Sequence, residues 1–155
     1  MPEFRFYHLE RRRLDSALPE VLEGALAEGA HVVVQAASTE QVEALNERLW
    51  TYSDESFLPH GAARDGEPDA QPVYLTESEE NPNGATLRVL LSGVDAAPFA
   101  GKPAGRPYER IILLFDGRDE VALTEARRQW SLVKAAGDPL SYWREGEDGG
   151  WEKAR

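Results

Sequence analysis

The residues best placed to do chemistry in this chain are an acid at the end of an apolar strand and a pair of cations bordering an indole. Pro107 to Asp116 reads Pro-Tyr-Glu-Arg-Ile-Ile-Leu-Leu-Phe-Asp, followed by Gly117. A continuous apolar run of this kind suits a strand covered on both faces, and the acid that closes it resembles the second acidic motif of nucleotide-hydrolysing domains. The rest of that machinery is missing. A phosphate loop needs glycines, so that backbone N–H groups can approach the phosphates, and a Lys-Ser/Thr pair. The nearest approach, Gly101-Lys102-Pro103-Ala104-Gly105, carries a proline that removes a donor and lacks the hydroxyl. No GxGxxG fingerprint and no GxSxG elbow occur. Asp116 is then better explained as a turn residue before Gly117.

His8, His31 and His60 are far apart and lack ligand spacing, and the chain has no cysteine, so neither a metal, a cofactor nor a catalytic thiolate is expected. His60 closes the stretch Ser56-Phe57-Leu58-Pro59-His60, which reads either as an exposed anchor for a partner or as a loop packed back on the sheet. Near the other end, Leu123, Ala126, Trp130, Val133 and Gly137 recur at spacings of three and four, the buried stripe of a helix. Arg127 and Lys134 fall beside Trp130, placing two positive groups against a bulky apolar surface. Such an edge suits a peptide with a hydrophobic end and a carboxylate. The plainer reading is that both side chains snorkel along the edge of a packed helix.

Composition limits the alternatives. A chain of 155 residues, 41% hydrophobic, can bury roughly 70% of its unfolded surface. One domain, residues 1–155, is therefore expected. The net charge of −11 argues against gripping nucleic acid over the whole surface, although the excess acid also serves simple solubility. Arg11-Arg12-Arg13 could support single-stranded DNA binding with exposed tryptophans, but reads more simply as a solvated turn. No apolar run approaches the ~20 residues that span a bilayer, and no signal-peptide pattern opens the chain, so a cytoplasmic protein is expected.

Phe4 to Leu9 reads as a first strand. A helix follows from Leu18, with Asp15 or Ser16 as its cap, Pro19 in its first turn and Gly29 as its stop. His31 to Ala36 is a buried strand. Ser38 and Gln41 form a capping box for a helix marked by Val42, Leu45 and Leu49 that runs to Trp50. Thr51 to Pro72, punctuated by prolines and glycines, reads as a long exposed loop. Strands are expected at Pro72 to Leu75, Leu87 to Leu91 and Arg110 to Phe115. A loop from Gly93 to Pro107, a helix from about Asp119 to Ala136, a strand near Leu140 to Arg144 and a turn or frayed end before Trp151 complete the chain. This alternation predicts a three-layer α/β fold with a largely parallel sheet.

Several segments together carry a resemblance. Phe6-Tyr7-His8-Leu9, Leu49-Trp50, Glu55-Ser56-Phe57-Leu58-Pro59-His60, Tyr108 to Gly117, and Ala126-Arg127-Arg128-Gln129-Trp130 through Ala136-Gly137 stand in the order found in the chi subunit of bacterial DNA polymerase III. The sequence resembles that family over nearly its whole length. The resemblance implies a non-catalytic adaptor, built like a truncated nucleotide-binding domain, that belongs to the clamp loader of a DNA-directed DNA polymerase. It implies binding to the C-terminal tail of single-stranded DNA-binding protein, an acidic peptide ending in Asp-Ile-Pro-Phe, and to the psi subunit. By position, the tail surface would use Arg127 for the terminal carboxylate, Trp130 beside the phenylalanine pocket, and Lys134 and Arg128 for attraction. The psi surface would include Trp50, Phe57 and His60. Ser131 and Leu123 stand where the family often carries basic residues. The rival reading is a small nucleotide- or phosphate-ester-binding α/β enzyme drawing on Asp116.

Overall fold

The computed structural model describes residues 2–51, 60–62, 67–148 and 150–155, with the side chains of residues 50 and 51 outside that description. The chain runs β1 (Glu3–Leu9), α1 (Leu14–Ala27), β2 (Val32–Gln35), α2 (Thr39–Thr51), β3 (His60–Ala62), β4 (Val73–Thr76), β5 (Leu87–Leu91), β6 (Arg110–Asp116), α3 (Glu120–Ala136), β7 (Leu140–Glu145) and β8 (Trp151–Lys153). The strands form one sheet in the order β3-β4-β2-β5-β6-β1-β7-β8. Every pairing is parallel except that of β7 with β8. The expected three-layer α/β architecture is the one observed.

Alternation along each strand divides the apolar residues between two cores. Tyr7 and Leu9 of β1, with Ile112 and Leu114 of β6, face α1 and α2. Phe4 and Phe6, with Ile111, Leu113 and Phe115, face α3 and the segment around Phe99 and Tyr108. At about 25 cal/mol per Å² of apolar surface, each fully buried Leu or Phe contributes roughly 1.5–3 kcal/mol, so both faces must be covered.

Local starts and stops follow the sequence closely, with instructive exceptions. Ser38 Oγ accepts the N–H of Gln41 at 3.2 Å, while Gln41 Oε1 reaches back to the N–H of Ala37 at 3.0 Å. Gly29, at φ +82°, ends α1 as expected. The start of α1 differs: the residue ahead of its first turn is Arg13, with no side-chain cap, rather than Asp15 or Ser16. Leu14 packs against the core and draws the helix start forward. Pro19 consequently sits in the second turn, inside the helix, where it lacks the N–H that would reach the carbonyl four residues back. The stretch Thr51 to Pro72 is not all loop, because His60–Ala62 pairs in parallel with Val73–Leu75 as β3. The chain around Trp151 also forms an edge strand, β8, against Trp143–Glu145.

One charge lies at the centre of the sheet. Arg88 on β5 is 0% exposed. Its five N–H donors all find acceptors: Gln35 Oε1 twice, the Tyr108 hydroxyl, and the carbonyls of Glu80 and Ser78. The guanidinium also lies 4.6 Å from the ring centre of Phe99. Complete satisfaction makes a buried cation tolerable.

Candidate functional site

Helix α3 is positioned from both ends and from its buried side. Asp119 caps it, accepting the N–H groups of Val121 and Ala122 at 2.9 and 3.3 Å. Gly137, at φ +89°, closes it. On the buried face lie Ala126, Gln129 and Val133. Gln129 donates to the carbonyl of Val94 at 2.8 Å and accepts the N–H of Ala96 at 2.5 Å, tying the helix to the loop after β5. Held in this rotation, the helix turns Leu123, Arg127, Trp130 and Ser131 toward β1 and β7.

Trp130 is half-buried. Its indole stands edge-on to Phe6 at 5.2 Å and to Tyr142 at 5.8 Å between ring centres. Beside it opens a groove of about 580 Å³, lined by His8, Leu123, Arg127, Trp130, Ser131, Tyr142, Arg144, Ala154 and Arg155. Three arginines face this space, and no Asp or Glu side chain is among the residues lining it. The chain as a whole carries 28 acids against 17 Lys and Arg, so the groove runs opposite to the protein's net charge.

The groove cations differ in how they are held. Arg127 is exposed and makes no ion pair among the described residues. Arg144 lies 3.5 Å from Glu10 Oε1, an exposed and weak pairing. The Arg155 guanidinium sits 5.4 Å from the Trp130 ring centre and 5.8 Å from that of Tyr142, a cation over aromatic faces. At the floor, His8 Nδ1 and the Tyr142 hydroxyl form a hydrogen bond of 2.6 Å. Burial lowers the pKa of His8, with Arg144 and Arg127 acting in the same direction against Glu10 and Asp116. The imidazole is therefore neutral near neutral pH, and the positive potential comes from the guanidiniums. A desolvated aromatic wall beside unpaired arginines can bind an apolar group and a carboxylate together.

Of the residues expected at this surface, Arg127 and Trp130 come together in the groove. Lys134, on the same helical face, is exposed but does not line it. Arg128 points elsewhere: its guanidinium binds Glu125 at 2.5 Å and Asp95 at 3.4 Å. For the second expected surface, Phe57 and the side chain of Trp50 lie outside the described residues. His60 is not an exposed anchor, being 4% exposed with Nε2 3.1 Å from the Asn46 carbonyl. It ties β3 to α2. Tyr142, Arg144 and Arg155 line the groove without having been expected there. Their only signal is clustering of aromatic and basic residues near the chain's end, which means nothing until β7 is placed beside β1.

The second place where such a fold could work is the crevice at the carboxyl ends of β1 and β6, whose following helices leave to opposite faces. Here the protein fills that crevice itself. Glu145, 3% exposed, accepts the N–H groups of Glu10, Arg11 and Arg12 at 3.1, 2.7 and 3.1 Å, and the Arg12 Nε at 2.5 Å. Successive N–H groups after a first strand make an anion nest of the kind that cradles phosphate. Its occupant here is a carboxylate of the same chain. Arg118 crosses the mouth, donating to Asp116 Oδ1 at 2.9 Å and to the carbonyls of Arg11 and Arg12 at 3.0 and 3.2 Å. Asp116 also accepts the Arg118 N–H at 2.9 Å, as a turn-forming aspartate does. Among the described residues, no group of three or more His, Asp or Glu side chains could hold a metal ion. No helix there is long and apolar enough to cross a membrane.

A family model described as DNA polymerase III chi subunit, HolC, matches residues 1–141. A protein of Rickettsia prowazekii (strain Madrid E), named probable DNA polymerase III subunit chi, is 33% identical over 117 residues, covering 75% of this chain and 71% of its own length.

Proposed function

Because the chain belongs to the DNA polymerase III chi subunit family, and so to the accessory proteins of DNA replication, we propose that it is an adaptor with no reaction of its own. Its α3 groove takes the C-terminal tail of single-stranded DNA-binding protein, and a second surface around Trp50 and Phe57 joins the psi subunit or an equivalent clamp-loader component. The observation that carries this reading is a groove with three arginines and no Asp or Glu side chain around a half-buried indole in a protein of net charge −11. An acidic peptide would be repelled by most of this surface and drawn to this part of it.

Arg127 meets the terminal carboxylate, and the indole of Trp130 flanks the terminal aromatic side chain. A charge-assisted hydrogen bond and a desolvated anchor are each worth roughly 1–3 kcal/mol. Self-occupation of the crevice by Glu145 and Arg118 supports a binding role over nucleotide chemistry. Titration calorimetry of a synthetic tail peptide into the wild-type and Arg127→Ala proteins tests the proposal. The expected loss is about 10- to 100-fold in affinity, with binding of the wild type weakening as salt rises. Equal affinity for the two proteins removes Arg127 from the site, and absence of any binding by the wild type removes the groove.

A further inference from the structure

The helical half of the groove is poor in charge. One turn to either side of Arg127 stand Leu123 and Ser131, both lining the groove and neither ionisable. Two of its three cations come from the opposite wall, beyond the last residue matched by the family model: Arg144 on β7 and Arg155 after β8. We infer that Arg144 and Arg155 supply the charge that Leu123 and Ser131 do not, selecting ligands with acidic residues upstream of the terminal carboxylate. This inference rests on the peptide-binding reading of the groove and adds to it the residues that set sequence preference.

The geometry supports a built wall rather than a stray side chain. The Tyr142 N–H donates to the main-chain oxygen of Arg155 at 2.8 Å, and the N–H groups of Ala154 and Arg155 donate to the Tyr142 carbonyl at 2.7 and 3.3 Å. Residues 154 and 155 are thus bonded along β7. The Arg155 guanidinium rests over Trp130 and Tyr142 and has no carboxylate partner among the described residues. Stacking occupies the face of a guanidinium and leaves its N–H edge available to an incoming acid. Arg144 has Glu10 at 3.5 Å, with side chains 56% and 39% exposed respectively. A pair so open to solvent is weak enough for a ligand carboxylate to compete with Glu10. Arg127, on the facing wall, stays free for the terminal carboxylate, so the two walls divide the ligand between them.

The test uses the full chain and two synthetic peptides with the same free-carboxylate aromatic end, one with three aspartates upstream and one with asparagines in their place. Wild-type protein should prefer the acidic peptide by about tenfold at low salt, the sum of two exposed charge pairs. The Arg144→Ala/Arg155→Ala double variant should bind both peptides alike, with its affinity for the asparagine peptide within about threefold of wild type. Arg155→Lys should recover most of its share of the preference, which a purely structural role for the stacked arginine would not allow. Arg127→Ala should weaken both peptides equally. A double variant that keeps the preference while Arg127→Ala loses binding overturns this inference alone. Wild-type protein that binds neither peptide overturns the groove reading and this inference with it.

Discussion

Glutamine at position 145 would keep the side chain's shape and remove its charge, which isolates what the self-filled nest contributes. Burial alone would raise the pKa of Glu145. The N–H groups of Arg11 and Arg12, the Arg12 guanidinium and the Glu10 N–H outweigh it and hold the carboxyl at about 2 against an ordinary 4.5. At about 1.4 kcal/mol per pKa unit this displacement corresponds to roughly 3 kcal/mol, and screening at the exposed 10–12 loop reduces it to about 2. The folded-state pKa lies below the unfolded one. The contribution is therefore complete above about pH 4.5 and is lost as pH falls toward about 2. In Glu145→Gln the carboxamide oxygen still accepts N–H groups, but the amide nitrogen that replaces Oε2 confronts the Arg12 donor. Urea unfolding followed by tryptophan fluorescence should show the variant less stable by about 2 kcal/mol near neutral pH, with the gap closing across that acid window. Because other carboxylates titrate in both proteins, the difference reports this one. A gap independent of pH, or one below about 0.5 kcal/mol at neutral pH, would refute the reasoning.

Two further substitutions probe the packing behind the groove and at the sheet centre. A Cβ at Gly117 would lie 1.8 Å from His8 Nε2, and His8 is pinned by Tyr142 and packed on Phe115. Gly117→Ala should therefore lower stability by about 1–3 kcal/mol in urea unfolding and weaken tail-peptide binding through the displaced Tyr142; an unchanged midpoint would show that His8 has room to move. Arg88→Leu removes the donor shared by Gln35, Tyr108 and two carbonyls. Since those acceptors stay behind unsatisfied, thermal and urea unfolding should show a loss of about 3–5 kcal/mol, and a near-neutral result would mean that water replaces the guanidinium.

The legibility of the fold followed run length and periodicity. Val32–Gln35, Leu87–Leu91 and Arg110–Asp116 are mostly apolar stretches too short for helices, and all three form buried strands, with Arg88 the charge inside the second. By contrast, β3 and β8 have three residues each, too few for an alternation to register. Both exist because a neighbouring strand offers an open edge. The helix caps at Ser38 and Asp119 are contacts within a few residues and could be read directly. The start of α1 could not, because its position depends on Leu14 reaching a core assembled from distant strands.

The amino-acid sequence by itself determined the alternation of strands and helices, the absence of a phosphate loop and the placing of Arg127 beside Trp130, since each depends on residues within a few turns of one another. Only the tertiary structure brought Asp95 within reach of Arg128 and buried His60. It also brought Arg144 and Arg155 to the wall opposite Arg127 and sent Glu145 into the nest after β1. Those outcomes hang on parallel pairing of β1 with β7, across 134 residues between His8 and Tyr142. Contacts at that separation are set by the whole sheet's register, which no local pattern encodes.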